Sequence, residues 1–66
     1  MNVDMIKYIK HEIKESDFFV DIYIKENTIP AIQILSMIEF AKANNLRFNS
    51  IHYANKQFDY LFLKKH

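Results

Sequence analysis

Glycine, cysteine and tryptophan are absent from this chain of 66 residues, and proline and arginine occur once each, at Pro30 and Arg47. Without cysteine, no disulfide and no thiolate metal site can staple so short a polypeptide. Without glycine there is no Gly-rich loop to cradle a phosphate. A single arginine within a net charge of +1 is poor equipment for gripping nucleic acid. That task normally calls for a clear basic excess, with arginine supplying bidentate contacts to phosphate and guanine. No apolar run approaches roughly 18 residues and no signal-peptide pattern opens the chain, so a soluble, cytoplasmic protein with no membrane association is expected.

What is abundant is apolar surface: 50% of the residues are hydrophobic and 15% aromatic. A chain this small makes one domain, over residues 1–66, and buries a modest share of its surface. Ordering costs roughly 1.5 kcal/mol per residue against roughly 25 cal/mol per Å² of apolar burial. So rich a composition implies a dense core, and also apolar surface held against a second copy or a partner. The wealth of Ile, Lys, Asn, Phe and Tyr further suits an AT-rich genome.

Residues 2–15 read as a helix. Asn2 can cap it, Asp4 suits the positive end of its dipole, and Val3, Ile6, Ile9 and Ile13 recur at helical spacing. Lys7, Lys10 and Lys14 form a second stripe, read as a solvated face or a contact for an anionic partner. Ser16-Asp17 breaks the helix. Residues 18–25 alternate as a strand, with Phe18, Val20, Ile22 and Ile24 on one face and Phe19, Asp21, Tyr23 and Lys25 on the other. After the turn Glu26-Asn27-Thr28, Pro30 opens a second helix that runs to about residue 44. Ala31, Ile34, Leu35, Ile38 and Ala41 line one side of it, and Ile32, Met37 and Phe40 widen the apolar arc beyond what one sheet face would cover. Gln33, Ser36, Glu39 and Lys42 form its polar remainder, and Asn44-Asn45 can supply the left-handed residue that ends it.

Residues 48–54 and 57–63 then form a hairpin around Asn55-Lys56. A two-residue turn sets Tyr53 against Phe58 and Ile51 against Tyr60. Ile51, Tyr53, Phe58, Tyr60 and Phe62 thus share one face; Phe48, Ser50, His52, Asp59, Leu61 and Leu63 take the other. Lys64-Lys65-His66 reads as a frayed basic tail. The expected fold is α+β in the order α-β-α-β-β, with two helices and a three-stranded sheet. The last strand, apolar on both faces, is central, and residues 18–25 lie on an open edge.

The strand before the helix, the entry Ile29-Pro30-Ala31, the helix text Ile34-Leu35-Ser36-Met37-Ile38 and the segment Asn49-Ser50-Ile51-His52-Tyr53 that opens the hairpin carry a resemblance. Over residues 18–65 they resemble the leading β-α-β-β half of an ACT domain, which is ferredoxin-like. The resemblance implies a small-ligand module that senses amino acids, with a site near residues 27–32.

Three constellations could carry chemistry. Ser50, His52 and Asp59 share a sheet face, but side chains two apart on a strand lie about 7 Å from each other, too far for a serine–histidine hydrogen bond. His11 and Glu15, at i and i+4 on a helix, have metal-binding spacing yet lack a third ligand. Phe19, Tyr23, Phe48, Leu61 and Leu63 decorate the face away from the core, where they could be covered by the first helix or a second subunit, dock a partner, or stack bases. No catalytic, metal or cofactor site is expected, and the protein is not read as an enzyme. The favoured function is a non-enzymatic protein-binding module, a small dimeric regulator or inhibitor of a larger protein. Its contact surface would be Phe19, Asp21, Ile22, Tyr23, Lys25, Phe48, Leu61 and Leu63, with the 18–25 edge pairing with a second copy. The alternatives are the amino-acid sensor and a weak nucleic-acid binder using Lys7, Lys10, Lys14, Lys64 and Lys65.

Overall fold

The structure, a computed structural model, describes residues 1–65. A short 3-10 turn (Asp4–Ile6) leads into β1 (His11–Glu15), β2 (Phe19–Lys25), α1 (Pro30–Ala43), β3 (Leu46–Ala54) and β4 (Gln57–Lys64). The four strands form one antiparallel-paired sheet in the order β1-β2-β4-β3, with α1 on one face. Because β2 and β3 each run antiparallel to β4, they are parallel to each other and joined by the α1 crossover.

This corrects the expected α-β-α-β-β order with two helices and three strands. Residues 2–15 do not form a helix. Asn2 Oδ1 accepts the Asp4 amide at 3.0 Å, a local turn that ends after one 3-10 turn. Ile6 and Ile9 still reach the core, but from this turn and the segment behind it. From His11 the side chains alternate, with Ile13 toward the core and Glu12 and Lys14 away from it. Ser16, expected to break a helix, makes the β1–β2 hairpin instead. Its Oγ accepts the amides of Phe18 and Phe19 at 3.3 and 3.2 Å, and its amide donates to the Phe19 carbonyl at 2.9 Å. Residues 18–25 are therefore not an open edge. β1 lies along one side of β2 and β4 along the other, and the charged sequence His-Glu-Ile-Lys-Glu makes β1 a well-guarded edge.

β4 occupies an interior place between β2 and β3, with Tyr60 and Phe62 buried on the helix side. The β3–β4 turn has positive φ at both Asn55 (54°) and Lys56 (56°), the mark of a two-residue hairpin whose twist matches its strands. It pairs Tyr53 with Phe58 and Ile51 with Tyr60, as the spacing predicts. One extra residue, Asn49, bulges between Phe48, opposite Phe62, and Ser50, opposite Leu61. That bulge moves Phe48 from the open face, where strict alternation had placed it, to the helix side, edge-on to Phe62 at 6.2 Å. Lys64, read as part of a tail, is the last residue of β4, and His66 lies outside the described residues.

Pro30 starts α1 from an extended Ile29, and Asn45 leaves it at φ 53°, as expected. Its rotation is not as expected. Gln33, Met37 and Phe40 face the sheet, whereas Ile34, Leu35 and Ile38 remain exposed. Phe40 supplies the bulk beneath the helix, 5.9 Å from the Phe62 ring. Gln33, only 3% exposed, is admitted because the Tyr60 hydroxyl donates to its Oε1; its Nε2 finds no acceptor among the described residues. Asn44 fastens the far end. It exchanges two 2.7 Å hydrogen bonds with the Asn2 backbone and donates to the Phe40 carbonyl at 2.9 Å.

Candidate protein-interaction surface

The sheet presents two unlike surfaces. On the open face, register sets three rows across the strands: Phe19, Leu63 and Arg47; Lys14, Asp21, Leu61 and Ser50; and Glu12, Tyr23, Asp59 and His52. Of the residues expected to bind a partner, Phe19, Asp21, Tyr23, Lys25, Leu61 and Leu63 share this face. Ile22 and Phe48 do not: Ile22 is wholly buried under the helix, and Phe48 is on the helix side. Lys14 Nζ lies 5.4 Å from the Tyr23 ring centroid. Few of the face's apolar groups are broadly exposed, so it reads as a mixed surface of charges and half-buried side chains.

Within it, burial pushes the Asp21 carboxyl up to about 6, reinforced by a hydrogen bond and repulsion from Asp59 and opposed by Lys14. Asp59 Oδ1 has no donor among the described residues, and a proton on Asp21 would supply one. Folded chains thus bind more protons than unfolded ones between the ordinary 3.8 and about 6. The associated stability is full below that window and is lost as pH rises through its upper end. Asp21→Asn removes the penalty. At neutral pH the variant is expected to be more stable by about 1 kcal/mol after solvent screening, a melting point about 4–8 °C higher. Thermal melts from pH 4 to 8 check this: its stability should stay level where the parent's falls.

The expected chemical constellations come apart on this scaffold. His52 and Asp59 oppose each other, but the Ser50 hydroxyl accepts the Asn49 side-chain amide at 3.2 Å. His11 and Glu15 stand on a strand, about 13 Å apart along it, so they cannot chelate one ion. No group of three His, Asp or Glu side chains that could hold a metal occurs among the described residues. The lysines named for nucleic acid do not share one face. Lys14 is on the open face, Lys64 pairs with Glu15 at 2.6 Å on the other, and Lys7 lies by the Tyr8 ring. That Lys64 bond holds the Glu15 carboxyl below its usual range. No described helix is long and apolar enough to cross a membrane.

The helix side carries the larger feature, and sequence reasoning placed most of it in the core. A four-stranded sheet is about 15–19 Å wide and a helix with its side chains about 10 Å, so α1 covers only part of it. Beside α1, over β3, runs a groove of about 640 Å³ whose walls include Ile34, Ile38 and Ala41 from the helix and Leu46, Phe48 and Ile51 from the strand. Ile34, Leu35, Ile38, Phe48, Ile51 and Tyr53 are each 46–61% exposed. Lys42 and Lys65 stand at its rim. The signal for it was the width of the helix's apolar arc, which exceeded what one sheet face could cover. In place of the first helix only a short turn packs against α1, and no described residue covers Ile34, Leu35 or Ile38.

No protein-family model, curated protein or solved structure matches the chain. The surface is accordingly read from its geometry alone.

Proposed function

We propose that the protein is a non-enzymatic protein-binding module whose working surface is the apolar groove between α1 and β3. The observation that carries this is the inversion of α1, which buries Gln33 while leaving Ile34, Leu35 and Ile38 in solvent. Six half-exposed large apolar residues present on the order of 600 Å², at the upper limit of what a monomer's largest apolar patch normally reaches. Such a surface gains by being covered by another protein chain, and shape and apolar contact are what it offers a partner. A regulator or inhibitor works through such a surface without chemistry of its own.

The test is affinity purification from native cells with three forms of the chain: the parent, Ile38→Glu in the groove and Tyr8→Glu outside it. The parent and the Tyr8 variant are expected to retain the same bound chain, a second copy included, and Ile38→Glu to lose at least about 90% of it, since a charge now enters the contact's apolar centre. Equal retention by all three would move the binding surface elsewhere and overturn the proposal.

A further inference from the structure

We infer that the occupant of this groove is helix α1 of a second copy of the same chain, giving a two-fold dimer in which both helices lie side by side between two sheets. The inference rests on the groove being a protein-binding surface and adds what binds there.

A space of about 640 Å³ stands open beside α1. The N-terminal turn, whose Ile6 and Ile9 join the core, contributes no residue to the groove, which lies open over β3 with Ile34 and Ile38 on one wall, Phe48 and Ile51 on the other, and Lys42, Asn45 and Lys65 among its lining. A helix that fills it while still packing on its own sheet must be apolar on more than one side. Helix α1 is such a helix. Its arc is divided into a sheet-facing side (Gln33, Met37, Phe40), a groove-facing flank (Ile34, Ile38, Ala41) and an outward side on which Leu35 and Ile32 stand with the Glu39–Lys42 ion pair. In the dimer the first packs on its own sheet, the second on the partner helix, and the outward side on β3 of the partner.

The arrangement is self-complementary, as a two-fold interface requires: α1 of one copy meets β3 of the other, and the reverse holds at once. An axis passing between Ile34 and Ile38 runs the helices antiparallel, which sets the two Lys42 side chains at opposite ends of the contact. Net charge is only +1 per chain, so long-range repulsion between copies is small. The area also suits. About 600 Å² of apolar surface per chain, with the polar rim added, approaches the roughly 800 Å² per partner of a standard stable interface.

Sedimentation of the purified chain tests this, with circular dichroism to confirm folding. The parent is expected at twice its 8.0 kDa chain mass. Ile38→Glu and Phe48→Glu, both at exposed positions, should fold and weaken self-association roughly 100-fold or more, whereas Tyr8→Glu should leave it unchanged. Because the chain has no cysteine, Ile38→Cys gives a readout that does not depend on tolerating a charge. With the axis between Ile34 and Ile38 the two thiols lie beyond direct disulfide reach, so a short thiol-reactive cross-linker of about 8 Å span should link it into a covalent dimer, and Tyr8→Cys should stay unlinked. A parent that remains monomeric to roughly 0.5 mM would overturn the inference. If Ile38→Glu nevertheless released a different bound chain, the groove would still be the binding surface, occupied by another protein. A dimer indifferent to Ile38→Glu and Phe48→Glu, with Ile38→Cys unlinked, would place self-association on another surface and overturn the inference equally.

Discussion

Ile22→Pro should leave the chain unfolded. Ile22 is fully buried, and β2 carries strands on both sides, Ile13 opposite it on β1 and Tyr60 opposite it on β4. Proline removes the Ile22 amide from the sheet whichever neighbour that amide serves. A proline in the middle of a sheet lacks a ladder bond and is tolerated essentially only on edges or at bulges. Losing the buried side chain adds about 2–5 kcal/mol. A domain of this length has roughly 3–10 kcal/mol in total, so the combined loss reaches or exceeds what is available. Far-UV circular dichroism and a thermal melt would settle it. A variant that melts cooperatively within a few degrees of the parent would mean that β2 is an edge after all.

Phe62→Ala is the second large effect. Phe62 is 1% exposed and has ring neighbours on three sides, Phe40 from the helix, Phe48 from β3 and Tyr60 from its own strand. Truncation should cost about 3–5 kcal/mol, because the helix above and the sheet below cannot both close on the space. Phe19 on the open face of β2, by contrast, is 36% exposed, and Phe19→Ala should cost about 1–2 kcal/mol. Urea unfolding of both gives the comparison. Equal losses would show that the two faces of the sheet are not one buried and one open.

The β3–β4 hairpin was legible because a two-residue turn at Asn55-Lys56 is the register that gathers Ile51, Tyr53, Phe58 and Tyr60 on one face. The interior place of β4 followed from its apolar residues on both faces. The start of α1 followed from Pro30. β1 was not legible, since Val3, Ile6, Ile9 and Ile13 fit a helical period while only five residues, His11–Glu15, alternate as a strand. The first three of those apolar residues precede the strand, and Ile6 and Ile9 still reach the core from a turn. Asn49 gave no sign that it would bulge and carry Phe48 across the sheet. The rotation of α1 was hidden because Gln33 reads as a surface residue, and only the Tyr60 hydroxyl makes it a core one. That misplacement also concealed the groove: Ile34, Leu35 and Ile38 were read as one packed side of the helix and are the residues left uncovered.

The central claim is that this uncovered side receives α1 of a second copy. Nuclear Overhauser contacts recorded on a mixture of isotope-labelled and unlabelled chains test it most directly, because only contacts between copies survive the filter. The predicted result is a set of contacts from the Leu35 methyls of one chain to the Phe48 and Tyr53 rings of the other, and from Ile38 methyls to the partner helix. Contacts from these methyls confined to their own chain, at concentrations where the chain is associated, would contradict it.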